Sequence, residues 1–139
     1  MGLLRRFLVC ILLAMTPIPV LAESSTAFFD SYLALRARLD PLMKNRDIAE
    51  VMRAFGDASE DSALEDLERR VRNIFPRDFQ EVALIRRQDM DHGFRQELIA
   101  YWDGVSYIYV YLVIHQRDDG LVTVVMNFNT EFDDLNSKF

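Results

Sequence analysis

The chain has 139 residues, with 16 Lys and Arg against 22 Asp and Glu, a formal net charge of −6 and one cysteine. The acid excess excludes nucleic-acid binding, which needs Lys and Arg on phosphates, and docking on anionic lipid surfaces. A single cysteine excludes an intrachain disulfide and thiolate-based metal centres.

The N-terminus reads as an export signal over residues 1–22. Arg5 and Arg6 are followed by an apolar run at 7–15, the helix breakers Pro17 and Pro19, and the small-residue end Val20-Leu21-Ala22. The run is shorter than the roughly 20 residues that cross a bilayer as a helix. Cleavage near Ala22 is expected, into the periplasm or the medium, with no membrane attachment afterwards. It removes Arg5, Arg6 and Cys10, so the formal charge falls from −6 to −8 and no thiol remains. The expected domain, residues 23–139, is about the size of one compact unit with its own core.

Three helices are expected first. Ser25 or Thr26 caps a helix whose stripe is Phe28, Tyr32, Leu35 and Leu39, ended by Asp40-Pro41. A second follows Asn45 or Asp47, with Ile48, Val51, Met52 and Phe55 on one side and Gly56 as its left-handed stop. A third begins between Ser59 and Ser62, where Ser62 and Glu65 have capping-box spacing. It carries Leu64, Leu67, Val71, Ile74 and Phe75 to Pro76.

From Phe79 the period changes to two, and strands are expected at 79–87, 94–102, 105–116 and 121–130. Asp103-Gly104 and Asp119-Gly120 supply two-residue hairpin turns. That register pairs Leu98 with Tyr109, Val113 with Met126 and Tyr111 with Phe128. One face then carries Leu98, Trp102, Tyr107, Tyr109, Tyr111, Met126 and Phe128, the expected lining of a ligand pocket beneath the helices. The other carries Ile108, Val110, Leu112, Ile114 and Val125, an aliphatic row expected to face outward and to pair two copies of the chain. The acidic tail at 131–139 has no assigned element. The fold class is α+β, with three N-terminal helices packed on one face of a curved four-stranded antiparallel meander.

Little catalytic chemistry is legible. His92 between Asp91 and Gly93 fits a solvated turn, and His115 beside Arg117 and Asp118 fits a sheet rim. No metal site, cofactor or catalytic residue is assigned, and neither a phosphate loop nor a nucleophile elbow occurs.

Helix 28–39, the helix ending at Gly56, and the strand segments YIYVYLV (107–113) and VTVVMNFN (122–129) together resemble the NTF2-like superfamily, the cystatin-like α+β roll. The resemblance implies a roll with an apolar pocket and frequent dimers. One departure is that only Asp57 and Ala58 separate the second helix from the third, where the family places a short strand. The expected role is an exported, non-enzymatic domain that binds an apolar small molecule or a protein partner. The alternative is a lyase or isomerase of the ketosteroid-isomerase type that works with pocket tyrosines and a carboxylic acid on the same face.

Overall fold

A computed structural model describes residues 27–139; the export signal and the candidate caps Ser25 and Thr26 lie outside the described residues. The architecture is α+β. Five antiparallel strands form one open sheet in the order β1-β5-β4-β3-β2. They are β1 (Ala27–Phe29), β2 (Glu81–Asp89), β3 (Phe94–Asp103), β4 (Ser106–Arg117) and β5 (Gly120–Asn129). The helices are α1 (Tyr32–Lys44), α2 (Ile48–Ala54), α3 (Asp61–Ile74) and α4 (Phe132–Asn136).

The start of the domain departs from the helical expectation. Ala27, Phe28 and Phe29 form an edge strand against Thr123, Val122 and Leu121 of β5, as suits two consecutive aromatic residues with a ladder to join. Gly120 makes this approach feasible, because a Cβ there would lie 2.5 Å from the Phe28 ring. The helix cap is Ser31, whose side chain accepts from the Ala34 N–H at 3.1 Å. Nor does Asp40-Pro41 stop α1. The helix runs one turn further with Pro41 inside it, and the fully buried Met43 anchors that turn. It ends at Lys44, and past the Asn45 cap Arg46 adopts φ 60°, with its N–H bonded to the Met43 carbonyl. The Arg46 side chain holds the far loop through Phe75 O (2.8 Å) and Asp78 (3.0 Å). In α3, Ser62 sits inside the helix rather than at its cap, and Glu60 precedes the first turn.

Both hairpins turn about their expected places, each displaced by one residue. The first loop is Gly104-Val105, with Asp103 opposite Ser106, so Leu98 pairs with Tyr111 and Trp102 with Tyr107. Moving a turn by one residue moves the register by two, which leaves every β3 and β4 side chain on its expected face. The second hairpin starts the same way, with Arg117 opposite Gly120. Then Val124 is left over between Ile114–Thr123 and Val113–Val125 as a β-bulge. One extra residue reverses parity. Met126 therefore pairs with Leu112 and Phe128 with Val110, on the face opposite to the one expected, while Val125 joins the tyrosine face.

The helices also cover the other side of the sheet. Leu35, Leu39 and Met43 of α1, Ile48 and Val51 of α2 and Val71 of α3 pack on Ile99, Ile108, Val110, Leu112, Ile114 and Leu121. Ile108, Val110, Leu112 and Ile114, expected as an outward patch, are at most 1 % exposed. The physical reason is the price of phenols. A buried hydroxyl needs a partner, whereas an aliphatic row contributes about 1.5–3 kcal/mol per side chain on burial with no such demand. The tyrosine face is left open. The tail returns across it as α4, and Leu135 and Phe139 cover Leu98 and Tyr111 in a second, smaller cluster.

Candidate functional site

Three arrangements stand out beyond the core: the open sheet face, a polar chain between α1 and β3, and a groove beside α3.

On the open face, alternate residues of β3 and β4 bring Leu98, Trp102, Tyr107, Tyr109 and Tyr111 together, as their spacing predicts. Trp102, Tyr107 and Tyr109 form a ladder of near-parallel rings with centroids 5.9 and 6.2 Å apart. Phe132 of α4 meets Tyr109 edge-on at 5.6 Å, and Phe139 meets Tyr111 at 5.7 Å. Arg86 lies over the Phe139 ring at 4.3 Å and bonds the Asn136 side chain at 2.6 Å, which ties the tail to β2. Toward the other end of the strands the same side of the sheet exposes Phe28 of β1 and Val124 and Val125 of β5. Burial holds the Tyr109 and Tyr111 hydroxyls above the ordinary phenol range. They are donors at neutral pH, not proton acceptors. Among the described residues no carboxylate is hydrogen-bonded to the Tyr107, Tyr109 or Tyr111 hydroxyl.

The carboxylate–tyrosine pairs lie on the helix side and use other tyrosines. Glu97 of β3 is fully buried. Its Oε1 accepts from Arg95 Nε at 2.9 Å and its Oε2 from the Tyr32 hydroxyl at 2.8 Å. Tyr32 in turn accepts from Arg36 Nη1 at 2.9 Å. Arg36 Nε donates to both oxygens of Asp40, at 3.0 and 3.1 Å, and the buried Tyr101 hydroxyl donates to Asp40 Oδ1 at 2.6 Å. Arg95 Nη2 has no hydrogen-bond partner among the described residues, but its guanidinium stacks over the Tyr32 ring at 4.5 Å. Tyr32, Arg36 and Asp40 share one helix edge at i, i+4 and i+8. Eight helical residues span about 12 Å and four strand residues about 13 Å, so the helix row and the pair Glu97–Tyr101 keep step when α1 runs along β3. Burial first, then the Asp40 charge and hydrogen bond, raises the Tyr101 hydroxyl far above its usual range. Burial and Glu97 likewise outweigh Arg36 in raising Tyr32. Each carboxylate is bound by one cation and one phenol that keeps its proton. This chemistry clamps a helix to a sheet.

The groove runs along α3 where it passes the ends of β4 and β5. It encloses about 300 Å³ and is lined by Leu67, Arg70, Ile74, Ile108, Phe128 and neighbours. Ile108 and Phe75 form a buried floor, while Ile74 is 62 % exposed at the lip. Of the sequence-predicted pocket residues Phe128 lines this groove, and it does so from the helix side.

The remaining polar candidates are structural. His115 stacks on Phe94 at 3.9 Å and its Nε2 lies 3.0 Å from the His92 carbonyl, which fixes the turn at Asp91–Gly93. No group of three or more His, Cys, Asp or Glu among the described residues could hold a metal. None of the described helices is long and apolar enough to cross a membrane.

Sequence reasoning missed the tail and the clamp. Phe132, Leu135 and Phe139 recur at i, i+3 and i+7, a helical apolar spacing in a segment otherwise rich in acids. The row Tyr32, Arg36, Asp40 is the corresponding polar signal on α1. Comparison with protein-family models, with curated proteins and with solved structures finds no match.

Proposed function

We propose that the chain is an exported member of the NTF2-like group that acts as a binding domain without catalysis of its own, and that two copies pair through the open sheet face. The observation that carries this reading is the apolar surface left on that face. Phe28, Val124, Val125, Tyr107 and Phe132 are between 36 % and 52 % exposed, on one side of one sheet. Large apolar side chains left exposed on one side of a sheet usually mark a contact surface, and aromatic residues suit the centre of such a contact. The surface is isologous if two sheets meet face to face, as most homodimers require. Sedimentation equilibrium of the processed protein tests it. A dimer is expected at micromolar concentration, and Val124→Asp and Tyr107→Asp are expected to be monomeric with an unchanged far-UV spectrum. A wild-type monomer at high micromolar concentration overturns the reading.

The groove beside α3 supports a second reading, the binding of an apolar small molecule, because it combines a buried apolar floor with an exposed Ile74 at its lip. The isomerase alternative gains no support from the open-face tyrosines. Their hydroxyls lie on the side away from Asp40 and Glu97.

A further inference from the structure

We propose that the α3 groove takes a small aliphatic carboxylate, its chain against Leu67, Ile74, Ile108 and Phe128 and its head at Arg70. This rests on the small-molecule reading of the groove and adds the chemical class of the ligand.

The apolar half of the argument is the wall. Ile108 and Phe128 come from adjacent strands, and Leu67 and Ile74 lie two turns apart along α3, so together they line a slot that runs along the helix. At about 300 Å³ the slot is at the small end of ligand pockets, which fits one short chain.

The polar half is Arg70. Its neighbours on α3 are engaged: Arg69 pairs with Asp66, and Arg72 with both Asp47 and Glu68. Every other arginine among the described residues holds a carboxylate or, for Arg86, Asn136. Arg70 has neither, although the chain carries six more acids than bases. Asn129, beside it in the groove, is already committed: its Nδ2 donates to Asp134 and its Oδ1 accepts from the Glu131 N–H. One free planar guanidinium at the rim of an apolar slot matches a carboxylate in shape and charge. A phosphate dianion calls for more cations than this rim offers.

The test is calorimetric titration of the processed protein with decanoate and with decanol, which share a chain and differ in the head. Decanoate is expected to saturate one site and to bind about tenfold more tightly than decanol, the ratio one charge-assisted hydrogen bond supplies. Arg70→Gln is expected to abolish that preference and leave decanol binding in place. Ile74→Glu, at a position already exposed, is expected to weaken both ligands without loss of helix signal. Equal binding of the two ligands by wild type, or an unchanged preference in Arg70→Gln, overturns the carboxylate assignment and leaves the apolar groove standing. Absence of saturable binding by either overturns the groove reading too, and leaves the dimer to be judged by sedimentation.

Discussion

The Tyr101 hydroxyl donates to Asp40 Oδ1 at 2.6 Å, from near the end of β3 to the third turn of a helix 61 residues earlier in the chain. With Tyr32 and Glu97 at the other end of α1, it sets where that helix lies on the sheet. Apolar contacts alone tolerate sliding. Two phenol–carboxylate pairs about 12 Å apart along the helix do not.

The two ends of this clamp are unequal, which gives the first prediction. Tyr101→Phe leaves Asp40 with Arg36 and some solvent, so the loss is about 1 kcal/mol, one net hydrogen bond. Glu97→Ala strands Arg95 and the Tyr32 hydroxyl away from water and is expected to lose about 3–5 kcal/mol. Urea unfolding of the two variants measures the order. Equal losses would show that Glu97 contributes no more than an ordinary hydrogen bond.

Stability is expected to fall at alkaline pH for a stated reason. Tyr101 and Tyr32 are raised above the reference value of 10.0 in the fold. The unfolded chain therefore loses these protons first, and the folded state binds more protons above pH 10. Their contribution is intact below about pH 10 and lost as pH rises beyond it. Unfolding followed from pH 8 to 11.5 checks the sign. In Tyr101→Phe the alkaline slope is expected to be shallower.

Leu135 tests whether the tail belongs to the domain. It is 3 % exposed against Leu98 and Tyr111. Leu135→Ala is expected to destabilise by about 2 kcal/mol, the low end for a buried leucine, because the small cluster can partly close. A change below a few tenths would mean that α4 lifts from the sheet at little cost.

The single residue Val124 makes a sharper test. Deleting it joins Thr123 directly to Val125 and removes the parity change, so one half of β5 must turn its apolar side chains to the wrong face. The deletion is expected to abolish cooperative thermal unfolding, whereas Val124→Thr, which keeps the bulge, is expected to melt within about 1 kcal/mol of wild type.

The export expectation is tested apart from the fold. Intact mass of material recovered outside the cytoplasm should correspond to a chain that begins at Glu23, and Ala22→Arg should leave the precursor uncut.

How far the sequence disclosed all this varies element by element. Strand alternation from Phe94 to Arg117 is legible, because parity survives a displaced turn, and so are the stripe on α2 and, apart from the exposed Ile74, that on α3. The β5 faces are not, since a bulge leaves no mark in a run as uniform as Val122 to Met126. Which face the helices cover does not follow from the count of aromatic residues, because each buried phenol needs a partner. Tyr101 is the informative exception. It is the one β3–β4 tyrosine on the helix side, and it is the one with a carboxylate waiting.

Ile85 carries a last consequence. Strand β2 ends the sheet, and nine residues of open edge would invite another chain to add itself as a further strand. Between Leu84 and Arg86, however, the register slips at Ile85. An incoming strand that matched the ladder on one side of the slip would be out of step on the other. The β2 flank is thus spoiled for templated growth.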